Sequence, residues 1–163
     1  MTIDRALLPY RPCAGVMLRN FHGKVFVGQR LDSSVEAWQM PQGGIDPGED
    51  PVEAAVRELW EETGVVRDKV ALVAQAPHEL QYDLPDDLIG KVWNGKWRGQ
   101  RQRWFLFDFL GEDRDIDIAT AEPEFRAWRW VEPRELPDLI VGFKVELYRQ
   151  VLAAFAEPLA ARG

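Results

Sequence analysis

Cysteine is almost missing from this 163-residue chain. The single Cys13 excludes an internal disulfide and any metal site built from several thiolates. It lies in the apolar run CAGVML, where a small core residue is expected rather than a nucleophile. Histidine is nearly as scarce. His22 and His78 have no partner at ligand spacing, so imidazole-bound zinc has no support; His22 reads as a turn residue and His78 as structural. No apolar run approaches the roughly 20 residues a membrane-spanning helix needs, and MTIDRALLPYRP carries no signal-peptide pattern. A cytoplasmic protein with no membrane partner is therefore expected. Repeats, low-complexity tracts and linkers are also lacking. Positive charge is in deficit, 20 Lys and Arg against 27 Asp and Glu, for a net charge of −7. That balance argues against a protein that coats nucleic acid, and DNA is not an expected partner. It leaves room for one that grips a single polyphosphate through a divalent cation, because such an ion inverts the local electrostatics.

What is present fits one globular domain over residues 1–163, with a core from about 10 to 156 and short tails. CAGVMLRN and VFVGQR read as two strands joined by a tight turn at Gly23. VEAWQMPQGGIDPGED reads as a loop. A helix follows, with Asp50 as N-cap, Pro51 at the first position, Glu53 completing a capping box and Gly64 at the end. KVALVAQA, RWFLFDFL and EFRAWRWV read as strands, EPRELP as a turn or short helix, and residues 78–102 as a long irregular connection. A last helix is predicted from Val141 to Phe155, with Phe143, Leu147, Val151, Leu152 and Phe155 at helical spacing. Strands outnumber the main helices without strict alternation, so the predicted class is α/β (α+β), a mixed sheet with helices packed on it.

The densest chemistry lies in GGIDPGEDPVEAAVRELWEETGV. On a helical wheel Val52, Ala55, Val56, Leu59, Trp60 and Thr63 gather on one side as the face to be buried. Glu58, Glu61 and Glu62 share an arc of about 100° on the other. A solvated polar face is the ordinary explanation of acids on a helix, but here it must also account for three converging like charges. Arg57 can pair with Glu61 one turn on, which answers only part of the repulsion. The alternative is a site for a hard cation such as Mg²⁺, which takes oxygen ligands and is completed by water and substrate phosphate. Backbone carbonyls around Gln42 to Gly44 can add to it, with glycine letting the chain come close.

Gly43, five residues, Glu49, seven residues, then Arg57-Glu58-Leu59-Trp60-Glu61-Glu62-Thr63-Gly64-Val65 resembles the complete Nudix box. The resemblance implies an α/β/α sandwich with a loop–helix–loop metal site, and hydrolysis of nucleoside diphosphates linked to another moiety. By position it implies Glu58, Glu61 and Glu62 as Mg²⁺ ligands, with Mn²⁺ as a substitute, and Arg57 orienting a box carboxylate. A non-catalytic nucleotide sensor of this family should lack a box carboxylate, and none is missing.

Outside the box, YRPCAGVML, WQMPQGGIDPGE, YDLP, QRQRWFLFDF, PEFRAWRWV and VGFKVELYRQV resemble a narrower branch, the bacterial RNA pyrophosphohydrolases and asymmetric diadenosine polyphosphate hydrolases. In that branch Glu124 corresponds to a further metal ligand or candidate base. Arg11, Arg30 and Lys144 fall where relatives contact phosphates or nucleotide, and Gly43 and Gly44 fall in the loop that approaches the substrate. Phe143 is placed either to stack on a base or to be buried in the last helix. Five cations over Lys91 to Arg103, interleaved with Trp93, Trp97 and Trp104, fit either polyanion contact or a solvated loop. The expected substrate is a 5′-triphosphorylated RNA end, with a dinucleoside polyphosphate as the alternative, acted on by a monomer or small homo-oligomer.

Overall fold

In the computed structural model, residues 4–33 and 35–162 are described; residues 1–3 of the stretch read for a signal pattern lie outside them. Strands β1 (Tyr10–Arg19) and β2 (Val25–Arg30) form the expected hairpin. Gly23 takes φ 79° in its turn, and the Asn20 side-chain oxygen accepts from the His22 and Lys24 amides. The two strands share only the Arg19↔Val25 pair and then diverge. The segment expected to be a loop fills the gap with two short strands. β3 (Trp38–Gln39) pairs with β2, and β4 (Gln42–Gly44) pairs with β1 through Cys13↔Gly44, Ala14↔Gly43 and Gly15↔Gln42. The glycine pair is thus laid along a central strand as a fixed surface.

Helix α1 (Pro51–Thr63) begins where its caps dictate. The Asp50 carboxylate accepts from the Val52 amide at 2.8 Å, and Gly64 closes the helix at φ 73°. Glu53 does not complete a capping box; its carboxylate pairs with Arg67. Four further strands follow: β5 (Val70–Gln75), β6 (Leu80–Asp83), β7 (Gly99–Phe109) and β8 (Phe125–Val131). β7 runs parallel to β1 from Tyr10↔Gly99 to Arg19↔Asp108 and carries β5 and β6 antiparallel on its other edge, while β8 lies antiparallel to β2. The sheet is therefore mixed.

Helices α2 (Leu136–Leu139), α3 (Val145–Ala154) and α4 (Ala156–Arg162) complete the chain. Along β1 the side chains alternate. Ala14, Val16 and Leu18 pack with Ala55 and Leu59 of α1, and Met17 packs with Leu147 and Val151 of α3. A strand buried on both faces reads as one continuous apolar run, which is why CAGVML shows no alternation. Each such side chain contributes about 1.5–3 kcal/mol of burial. The result is the α/β/α sandwich. Among the described residues no helix is long and apolar enough to cross a membrane.

Three sequence expectations are corrected. Residues 78–102 are not one irregular connection: β6 and the start of β7 pair from Leu80↔Gln102 to Asp83↔Gly99. The strand was concealed by buried polar residues that satisfy one another, since Gln102 donates to Gln100 and the Trp104 indole donates to Gln102, both at 2.7 Å. The last helix starts at Val145, after a 3₁₀ turn over Gly142–Lys144, so Phe143 stands outside it and 38% exposed. On α1, Trp60 is 55% exposed and Glu62 is buried. The buried arc is centred on Ala55 and Leu59 and leans toward Glu62, away from the indole.

Candidate functional site

Five short polar contacts organise the loop and helix around one guanidinium. Arg57 donates to both oxygens of Glu49 at 2.9 Å, to Glu58 at 2.8 Å, to Glu61 at 3.2 Å and to the Gly44 carbonyl at 2.9 Å. The hydrogen bonds from Arg57, reinforced by the Asp46 amide, hold the Glu49 carboxyl down at about 2. The expected Arg57–Glu61 pair is present, and it is the longest of the five.

The remaining charges are less well answered. Burial first, and then the Glu61 charge, push the Glu58 carboxyl up, with Arg57 and Arg11 offsetting part of that. Glu62 is 4% exposed, and its Oε2 has no hydrogen-bond partner. Burial, followed by the Glu58 and Glu124 charges, drives its carboxyl well above the usual range; the Gln42 backbone and Arg30 work against this. Gly43 lies so close to Glu58 that a Cβ would overlap the carboxylate. A Cβ on Gly44 would come 2.8 Å from the Arg11 guanidinium. The glycines therefore give these two side chains their room.

A cavity of about 490 Å³ opens beside this helix. Glu58, Glu61 and Glu62 line it from α1, and Asp117, Glu122 and Glu124 line it from the loop before β8. Every charged group on its wall is an acid. Glu124 thus shares one cavity with the box glutamates, although it lies 62 positions beyond Glu62 in the chain. Trp60 and Thr120 also line it, and the buried Thr120 Oγ1 has no partner; neither was singled out from the sequence as a site residue. Among the described residues no three Asp, Glu, His or Cys side chains are gathered as a ready-made metal cage. The buried, unpartnered carboxylate oxygen of Glu62, facing like charges, nevertheless has the chemistry a hard cation answers.

A second cavity of about 400 Å³ holds the cations. Arg30, Lys144 and Phe143 line it together with Gln39, Tyr82 and Trp93. The Lys144 ammonium stands 5.4 Å from the Tyr82 ring centre and 5.9 Å from that of Phe143. Burial, with the Arg30 charge second, brings Lys144 down to about 8. Arg30 makes a two-pronged bond to Asp32 at 2.8 and 2.7 Å, and its guanidinium also feels the charges of Glu124 and Glu62. Arg11 lies apart from this cavity, against Gly44 and within the field of Glu58.

The basic stretch from Lys91 divides. Trp93 joins the second cavity, Trp104 is core, Arg98 pairs with Asp83 at 3.1 Å and Arg101 with Glu79 at 2.8 Å. Cys13 is buried, and burial raises its thiol to about 11, which is the state of an inert core residue. Tyr82 and Gln39 were missed as lining residues because each sits in a short strand whose pairing is not readable from local pattern.

The chain as a whole is matched in known proteins. The profile of the NUDIX domain family matches residues 9–151. The RNA pyrophosphohydrolase of Sphingopyxis alaskensis is 63% identical over 153 residues, covering 94% of this chain and 97% of the relative. That of Cereibacter sphaeroides is 55% identical over 159 residues, covering 98% of each. Among solved structures, the E. coli dihydroneopterin triphosphate pyrophosphohydrolase superposes with a TM-score of 0.69 at 19% identity over 89% of this chain and 96% of that one. A C. elegans Ap4A hydrolase complex gives 0.64 at 22% identity over 90% and 98%. At those identities the two structures speak to the fold alone.

Proposed function

This chain belongs to the NUDIX domain family, and on that premise we propose that it is a Mg²⁺-dependent pyrophosphohydrolase of 5′-triphosphorylated RNA ends, leaving a 5′-monophosphate. The observation that carries the reading is the division of charge between two cavities, one whose charged groups are all acids and one that holds Arg30 and Lys144, with Arg30 within the field of Glu124 and Glu62. A triphosphate joined to a nucleoside needs both.

Glu58, Glu61, Glu62 and Glu124 would hold the ion, with Mn²⁺ able to replace Mg²⁺. When bound, such an ion drains charge from phosphoanhydride oxygens and lowers the pKa of water. Arg57 keeps Glu58 and Glu61 aimed from one side while fixing the loop through Glu49 and the Gly44 carbonyl. Arg30, Lys144 and Arg11 bind the phosphates and orient the nucleotide, with Asp32 giving up Arg30 when a phosphate arrives. Arg suits this exchange because its planar fork serves carboxylate and phosphate alike. Phe143, at the cavity wall and partly exposed, offers a face to the base. One of the carboxylates beside the ion takes the proton of the attacking water. We assign residues 1–163 to one such catalytic domain.

Comparison of kcat/KM for triphosphorylated RNA and for diadenosine tetraphosphate tests the substrate. A preference for RNA of at least about 100-fold, or about 2.7 kcal/mol, is expected; an equal or greater value for the dinucleotide overturns the assignment. The ion has its own test. At a hundredfold excess over its dissociation constant, Mg²⁺ should stabilise the fold by about 2.7 kcal/mol, a rise in Tm of about 5–10 °C. A flat Tm across millimolar Mg²⁺ removes the ion from this reading.

The buried lysine makes a pH prediction. Lys144 carries its proton below about 8 and loses it above. The anion-binding charge therefore disappears as pH rises, and kcat/KM should fall on the alkaline side of about 8. In Lys144→Gln that limb should be flat, on a lower baseline. An alkaline limb that survives the substitution belongs to another group.

A further inference from the structure

Arg126 is unaccounted for by either cavity. It lies on β8 two residues beyond Glu124, where the pairing with β2 slips: Gln29 faces Ala127 and Arg30 faces Phe125, so Arg126 has no Cα partner. Such a slip re-aims a side chain, and here the guanidinium turns onto the backbone of the loop that leaves β2. It donates to the Arg30 carbonyl at 3.2 Å, the Leu31 carbonyl at 2.7 Å and the Ser33 carbonyl at 3.2 Å. The Leu31 amide answers by donating to the Glu124 carbonyl at 2.9 Å. The loop so fastened carries Arg30, Asp32 and Ser33, one wall of the cationic cavity. Within the segment Arg30 pairs with Asp32, and the Ser33 hydroxyl bonds the Val35 backbone.

We infer that Arg126 is a positioning residue: it clamps the Arg30–Ser33 loop to the strand that carries Glu124, so that the phosphate-binding guanidinium and the acidic cavity keep a fixed separation. The inference rests on the reading of the second cavity as the substrate's. Three carbonyls at successive points of a turn suit a planar fork with several donors and do not suit a single ammonium. Among the described residues its side-chain hydrogen bonds all go to backbone carbonyls, so it acts through the loop.

The test uses the full chain in five forms, wild type, Arg126→Met, Arg126→Lys, Arg30→Gln and the Arg126→Met/Arg30→Gln double variant, with triphosphorylated RNA as substrate. Arg126→Met should raise KM about 10-fold while kcat stays within about twofold, because a shifted binding group weakens capture more than chemistry. Arg126→Lys should fall between the two. On the Arg30→Gln background the Met substitution should add less than about twofold, since both act through one guanidinium. Amide exchange of Leu31 supplies a readout without substrate: its protection should drop about tenfold in Arg126→Met while the amides of β1 are unchanged. Unchanged Leu31 protection, an unchanged KM, or KM effects that multiply in the double variant overturn the inference; the last would make Arg126 a direct substrate contact. A normal KM in Arg30→Gln alone overturns the reading of the cavity instead. Should Arg126→Met fail to fold, Arg126→Lys carries the same exchange and KM comparisons.

Discussion

Glu62→Gln should lower kcat by about 10²-fold or more and, in the absence of divalent ions, make the protein more stable. The two effects have one cause. Glu62 is buried, has an oxygen without a partner and faces the charges of Glu58 and Glu124. Gln keeps the shape and removes the charge, relieving the cost of burying an anion and its repulsion by Glu58 and Glu124. The sign also fixes the pH window. A carboxyl whose folded pKa is raised destabilises the fold at pH values above that pKa, and the penalty vanishes as pH falls below the unfolded value. The stability gap between Gln variant and wild type should therefore close in acid and widen as pH rises above the ordinary carboxylate range. Thermal melts in chelator at several pH values, beside turnover in Mg²⁺, read both. A variant that is inactive yet less stable at every pH would show that Glu62 serves the fold rather than an ion.

Gly43→Ala is the second large effect, and its prediction separates folding from function. The three atoms that the added methyl would meet first all belong to the Glu58 carboxylate. A flexible side chain can swing aside, so the cost to stability should lie at the low end of the range for an added methyl in a packed site, about 1 kcal/mol. The function has no such freedom. Displacing Glu58 breaks its 2.8 Å bond from Arg57 and removes a carboxylate from the acidic wall, so kcat should fall about 10²-fold. Urea denaturation together with single-turnover rates distinguishes the two. Near-normal turnover would mean that Glu58 works from another position; a collapse in stability would mean that β4 cannot accept any side chain there.

The acidic half of this site was legible in the sequence because its spacing is local. Glu58, Glu61 and Glu62 lie on one helix with readable caps, and Arg57 falls one turn from Glu61. What could not be read is what distant chain brings to them. The burial of Glu62 depends on β4 being laid on β1, and those two-residue and three-residue strands have no periodicity of their own. Trp60 was misplaced by the same blindness, since a wheel ranks faces by apolarity and cannot see which arc the sheet will cover. β7 was cut short at its start because Gln100 and Gln102 look like surface residues until they are seen bonded to each other. Lys144 and Phe143 were found through resemblance, yet their presentation on a 3₁₀ turn ahead of α3 was not, since Phe143 keeps helical phase with Leu147. Arg126 gave no signal at all. Its role arises from a slipped register between β2 and β8, which pairing alone creates.

The bond from the Met40 amide to the Tyr148 hydroxyl, 2.8 Å long and buried, reaches from the central sheet to the layer opposite α1. It makes α3 a latch on the link between β3 and β4, the strand that carries Gly43. Four residues before Tyr148 on the chain stands Lys144, at the floor of the other cavity. One buried hydrogen bond thus ties the helix that follows the lysine's turn to the chain just ahead of the glycine pair, so the two walls are fastened to each other through the protein's own backbone.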